Sequence, residues 1–238
     1  MTNNNIYELT CNTGNANTGV LSCFWEFGEI ETVILTTKNK ALTLTETKVM
    51  YDSVMALIKN NSEALRAYPI TNFTGYEDKS TEAQLGSTGR GGVTYDREGK
   101  IHLVLMWDDG GMSYEKKLKT FQGAQGAYDA LLCFKDSNTI VGTEPPINAL
   151  NQVIKGFSLE LLYSMMPKWN TGAEKTKHGL GIAFKDTAEM ISRHVAIELP
   201  TNQPITNFVG LYDLELAMDL NAGSPFTGTT VRVKCLTN

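Results

Sequence analysis

Apolar and polar positions along this chain recur with two different periods, and the change of period marks its elements. Glu31–Lys38 (ETVILTTK), rich in Thr, Val and Ile, predicts a strand that Asn39 and Lys40 end. Beyond it Val49, Met50, Ser53, Val54, Leu57 and Ile58 fall on one face at helical spacing, which predicts an amphipathic helix. Thr43 with Glu46 reads as its capping box and Asn60–Asn61 as its stop, with Ser62 opening a short turn through Leu65 and Tyr68.

From Gly91 the pattern shortens into strands between tight turns. Val93–Asp96 predicts a strand, and Arg97-Glu98-Gly99 a turn. Ile101, Leu103, Leu105 and Trp107 alternate with His102, Val104 and Met106, a strand apolar on both faces. Asp109-Gly110-Gly111 carries a hairpin signal, and Ser113–Phe121 continues the meander. Gly123–Gly126 is a loop or short helical start, Ala130–Phe134 an apolar strand, Asp136-Ser137-Asn138 a turn and Thr139–Val141 the returning edge.

Gly142-Thr143-Glu144-Pro145-Pro146 reads as a linker, because Pro-Pro cannot lie inside a central strand. Phe157–Met166 and Leu180–Phe184 follow as strands. Thr187–Leu199 suits helix or strand, and His194–Ile197 favours a strand at its end; Leu211–Leu220 and Thr229–Leu236 complete the chain. The expected fold is α+β, mainly antiparallel β of sandwich or barrel-like form, with one dominant amphipathic helix near 44–60. Two β-rich modules are expected, 1–143 and 147–238, packed either separately or as one continuous domain. One echo crosses them: Pro69-Ile70-Thr71-Asn72-Phe73-Thr74-Gly75 recurs as Pro204-Ile205-Thr206-Asn207-Phe208-Val209-Gly210. It predicts either two related modules or one turn-to-strand solution reached twice.

Composition narrows the function classes. With 238 residues, 42% hydrophobic and 20% charged, the chain can bury a sizeable core and is not a disordered polymer. A net charge of −5 argues against a protein whose task is to neutralise nucleic-acid phosphates. No apolar run approaches the roughly 20 residues that span a bilayer, so no membrane partner is expected. Met1-Thr2-Asn3-Asn4-Asn5 has neither a basic nor an apolar region, so the expectation is folding in a reducing cytoplasm. Cys11, Cys23, Cys133 and Cys235 form no C-x-x-C pair; Cys133 and Cys235 read as small buried hydrophobes.

Candidate chemistry is sparse. Gly86-Ser87-Thr88-Gly89-Arg90-Gly91-Gly92 is glycine-dense, but it opens a strand where a phosphate-binding loop would open a helix. Few large apolar residues occur over 76–92, which predicts an arm that orders against a partner. Asp108-Asp109-Gly110 reads as a turn rather than a cation site, and Glu29 and Glu31 lack the further placed carboxylates of a glycosidase. His102 sits in an apolar strand and reads as structural; Lys175, Lys177 and His178, with Lys168 near, read as a solvated basic loop. Two rivals remain open. Trp25, Trp107 and Trp169 with Tyr114 and Tyr163 would make a sugar-stacking platform in a carbohydrate-binding or adhesin module. His178 with Asp186 would seed a hydrolase site assembled from distant residues.

The run Gly91-Gly92-Val93 to Asp96-Arg97-Glu98-Gly99, then an apolar strand, Tyr114–Phe121, Ala130–Phe134 and Asp136-Ser137-Asn138-Thr139-Ile140-Val141-Gly142-Thr143 resembles virion structural proteins of tailed phages infecting Bacteroidetes, including crAss-like phages. Cys11-Asn12-Thr13-Gly14 with Asn17-Thr18-Gly19-Val20 is similar too, so the resemblance covers roughly residues 10–145. It implies a non-enzymatic subunit of tail tube, head–tail ring or connector type, located in the virion, with no catalytic residue, cofactor or metal. Its partners would be copies of itself in a closed ring and neighbouring virion proteins, with DNA only a weakly contacted cargo. Asn3, Asn4 and Asn5 and the arm residues Gly86, Arg90, Gly91 and Gly92 would lie across neighbours.

Overall fold

The computed structural model describes residues 6–7, 28–43, 50–60, 62, 64–87, 92–108, 111–122, 126–145, 152–169, 172 and 175–210. In chain order the elements are β1 (Ile6–Tyr7), β2 (Ile30–Thr37), β3 (Ala41–Thr43), α1 (Met50–Ile58), β4 (Tyr68–Ile70), β5 (Gly75–Asp78), β6 (Gln84–Ser87), β7 (Val93–Arg97) and β8 (His102–Trp107). They continue with α2 (Gly111–Lys119), β9 (Tyr128–Phe134), β10 (Thr139–Thr143), β11 (Gln152–Lys155), β12 (Phe157–Ser164), β13 (His178–Phe184), α3 (Thr187–Ile191), β14 (His194–Glu198) and a 3-10 turn at Ile205–Asn207.

The fold is mainly antiparallel β with few helices. Strand β9 is its centre. Its whole length pairs with β2 on one side, and its other side is shared between β10, at Leu132–Phe134, and the start of β12, at Asp129 and Ala130. The sheet runs outward through β10 to β14 and, the other way, through β12, β13 and β8 to β5. Gly156 makes the turn-over possible: β11 pairs with β10 and β3, and one residue later β12 pairs with β9. A β-carbon at Gly156 would stand 2.8 Å from the Ala130 nitrogen, so any side chain there would push the two strands apart.

Alternation along these strands sorts their side chains into two cores. Val33, Leu35, Ala130, Leu132, Val141 and Ala196 face Leu103, Leu105, Leu180, Ile182 and Phe184 of the far strands. Their neighbours Ile34, Leu131, Cys133, Ile140, Val195 and Ile197 face the other way, against Met50, Val54 and Ile58 of α1 and against Ile205 and Phe208. Both faces are covered, and for that reason these strands read as unbroken apolar runs. Each fully buried Leu, Ile or Phe contributes about 1.5–3 kcal/mol.

Several sequence expectations change. Gly111–Lys119 is a second nine-residue helix, where a hairpin turn and a strand were expected. Only Glu115 and Leu118 of its described side chains are buried, too few to print an apolar stripe, and Lys116, Lys117 and Lys119 suit the negative end of its dipole. Thr43 ends β3 opposite Gln152, so it is not a helix cap there; α1 is described over Met50–Ile58, and residues 44–49, including Glu46, lie outside the described residues. The β10 strand is not an edge: β9 flanks it on one side and β14 on the other. Gly142 and Thr143 pair with Val195 and His194, so the expected linker begins at Glu144, and strands from 1–143 and 147–238 pair with each other. The two echo heptapeptides differ in conformation. The first puts Pro69 and Ile70 in β4 and Asn72 at φ 57; the second makes the 3-10 turn Ile205–Asn207.

Candidate functional site

The arm expected over 76–92 is a β-ribbon. Strands β5 and β8 pair from Gly75↔Met106 to Asp78↔Leu103, the bridge Thr81↔Lys100 continues them, and β6 and β7 carry on from Gln84↔Arg97 to Ser87↔Val93. The register holds from the body to Gln84↔Arg97 and shifts once, to Leu85↔Tyr95. Arg97-Glu98-Gly99 is therefore no reversal but a straight link between β7 and β8. Gly99 permits it, since a β-carbon there would lie 2.2 Å from the Thr81 carbonyl oxygen. The ribbon is fixed at its base: Thr187 Oγ1 donates to the Gly99 carbonyl at 2.7 Å, and Lys100 Nζ pairs with Glu160 at 2.6 Å. Beyond Thr81 it extends about 20 Å at roughly 3.3 Å per residue.

This distal ribbon is amphipathic, and both of its faces meet water. Directly opposed residues share a face, so Leu85, Tyr95 and Val93 stand together, at 66%, 64% and 73% exposure. The other face carries Thr94 and Asp96, with Thr94 Oγ1 donating to Asp96 Oδ1 at 3.0 Å. Gly86 lies on that polar face opposite Thr94, and Gly92 is exposed at the start of β7. Arg90 and Gly91, like Asn3, Asn4 and Asn5, lie outside the described residues. An isolated two-stranded ribbon is marginal in water, and three bare apolar side chains give it nothing to pack on.

At the opposite end of β8 is a pocket of about 870 Å³. Tyr68, Trp107, Tyr114, Phe121 and Tyr128 line it, with Lys117 and Arg66 among its polar groups. Tyr68, Phe121 and Tyr128 contact one another edge to face at 5.4–6.3 Å, and Trp107 meets Tyr114 at 5.4 Å. Burial pushes the Tyr114 phenol up to about 12, so it stays a neutral hydroxyl. Pro69 and Asn72 of the first echo and Gly210 of the second line the same pocket.

Two buried polar clusters were not visible in the sequence. In the first, Glu115 of α2 accepts from Ser164 Oγ and meets His178 Nδ1 at 3.1 Å. Serine and histidine both address the carboxylate and not each other, so the imidazole is not placed to take the serine proton. In the second, Lys155 lies 3.3 Å from Glu189 and 3.9 Å from Asp129, and Ser158 donates to Glu189 through both its backbone N–H and its hydroxyl. Asp129 accepts from the Asn39 N–H at 2.7 Å through Oδ2, while its Oδ1 is buried with no hydrogen bond. Burial raises the Asp129 carboxyl above its usual range, outweighing the Asn39 hydrogen bond and the pull of Lys155 and Lys38.

The remaining candidates are dispersed. His178 opens the seven-residue β13, about 20 Å long, and Asp186 lies two residues past its far end, where it caps α3 through the Ala188 N–H and pairs with Arg193. The hydrolase pair is thus not assembled. Of the expected sugar platform, Trp107 is buried with its indole N–H on the Thr71 carbonyl, Tyr163 bonds His102 at 2.8 Å, and Trp169 is exposed; Trp25 lies outside the described residues. Cys133 is buried and its thiol is pushed up by burial. Lys168 and Lys177 form a short antiparallel bridge that holds the basic loop.

No helix among the described residues is long and apolar enough to cross a membrane. No protein-family model, no curated protein and no solved structure matches this chain.

Proposed function

We propose that the protein is a non-enzymatic structural subunit that assembles with copies of itself, in the setting its resemblance implies, a phage virion ring or tube of tail, connector or head–tail type. The observation that carries this reading is the projecting ribbon with Leu85, Val93 and Tyr95 bare on one face. A monomer gains nothing from holding these residues in water on a strand pair that packs on no other described element. A neighbour that covers them stabilises both the ribbon and the contact. The buried polar clusters support a structural body, since Glu115, Ser164 and His178, and likewise Lys155, Ser158 and Glu189, are hydrogen-bonded to one another.

Native mass spectrometry and light scattering test it. The wild-type chain should form a closed oligomer at micromolar concentration, and Leu85→Asp with Tyr95→Asp should release monomers whose far-ultraviolet circular dichroism shows the body still folded. A wild-type chain that stays monomeric at the concentrations reached inside an assembling particle would overturn the reading.

A further inference from the structure

We infer that the Leu85–Tyr95 face of one copy's ribbon seats in the Tyr68–Tyr114–Phe121 pocket of the next copy, so that subunits join head to tail. This inference rests on the self-assembly reading and specifies its contact.

Three observations lead to it. First, donor and acceptor lie at opposite ends of one strand pair. The ribbon leaves the body beyond His102, and the pocket is built around Trp107 at the far end of β8. Since β5 to β6 and β7 to β8 run on in register, the ribbon points away from its own pocket and cannot fold back into it. Only another copy can bring the two together, and a contact between two different patches is heterologous, the kind that propagates into rings or filaments.

Second, the surfaces match in kind. The pocket is aromatic and falls in the roughly 300–1,000 Å³ range of sites that take a few large side chains. Tyr95, Leu85 and Val93 are the apolar groups the ribbon presents, and an aromatic anchor in an aromatic pocket is the usual centre of a strong interface.

Third, the pocket rim is basic and the ribbon carries acids to meet it. Lys117 lines the pocket, and Lys116 and Lys119 are exposed beside it on α2. Beyond the Thr81–Lys100 bridge the ribbon's sequence carries three acids, Glu82, Asp96 and Glu98, all exposed, and two bases, Arg90 and Arg97. Pairing the three acids with Lys116, Lys117 and Lys119 across the rim steers association and sets the orientation of the ribbon.

A complementation experiment tests the arrangement. Tyr95→Asp spoils the ribbon but leaves the pocket. Thr120→Trp, at an exposed position lining the pocket, fills its mouth but leaves the ribbon. Each variant alone should be monomeric, and an equimolar mixture should give a one-to-one heterodimer and nothing larger, because one good ribbon meets one good pocket. Lys117→Glu should weaken wild-type association about tenfold at low salt and less at high salt. Photo-crosslinking from p-benzoylphenylalanine at position 95 should label peptides within 66–72 or 111–121 of another copy. Wild-type oligomers with labels elsewhere, or variants that fail to complement, would overturn the pocket contact and leave the assembly reading standing. A wild-type chain that is monomeric and gives no intermolecular label would overturn both.

Discussion

Gly99 lies against the carbonyl of Thr81, with no room for a β-carbon between them. This single approach lets two strands run on from the body into the ribbon. Gly99→Ala is expected to splay the pair at that point. Amide exchange over 84–97 should accelerate at least tenfold, association should fall, and the cores around Val33 and Ile34 should keep their protection. Hydrogen-exchange mass spectrometry reads all three outcomes.

Lys155 holds two carboxylates, Glu189 and Asp129, in a nearly closed interior. Lys155→Met removes the cation and leaves both acids facing each other. Breaking a buried ion pair from one side costs about 3–5 kcal/mol, and urea unfolding should show a loss of that size at pH 7. The loss should shrink at pH 4, where protonation of Asp129, whose carboxyl burial holds above its usual range, relieves the repulsion.

Asp129 gives a pH dependence whose sign follows from burial. Its carboxyl is raised in the fold, with Lys155, Lys38 and Glu189 as its charged neighbours, so the folded chain holds this proton to higher pH than the unfolded chain does. The associated stability is complete below the ordinary Asp value and is lost as pH rises through the folded value. Asp129→Asn, which fixes the uncharged form, should be at least as stable as wild type to within about 1 kcal/mol at pH 7. It should also lack the wild type's gain on acidification toward pH 4. Equilibrium unfolding across that range decides it.

Glu115 ties α2 to β12 and β13 through Ser164 and His178. Glu115→Ala leaves two buried polar groups without that partner, at about 1–3 kcal/mol each. The variant should unfold earlier in urea by a corresponding amount, and near-ultraviolet circular dichroism should report loosening around Trp107 and Tyr114.

The strands were legible where both neighbours are apolar. Ile101–Trp107 and Ala130–Phe134 announce themselves because both of their faces are buried, and the observed strands differ from the expected ones by two residues or fewer at each end. Helix α2 was not legible, because Glu115 occupies a core position and is satisfied there only by Ser164 and His178, from strands far away in sequence. The glycines of 86–92 marked an arm, yet they did not show that it would be a straight continuation of β5 and β8. Pair register over that distance depends on Gly99 and Thr81 meeting, and no local pattern encodes that meeting. The pocket was half visible: Trp107 and Tyr114 stood among the aromatic candidates, while Tyr68, Phe121 and Tyr128 reach it from β4, the turn after α2 and β9.

A strand pair that keeps its register from the sheet as far as Gln84↔Arg97 also has a mechanical meaning. A pull on Leu85 or Tyr95 along the ribbon axis is delivered straight into β8, which lies hydrogen-bonded beside β13 along its whole length. Such a load shears many parallel hydrogen bonds at once and does not peel them one after another. An array of these subunits would therefore resist stretching with the stiffness of its interior, not with that of a surface loop.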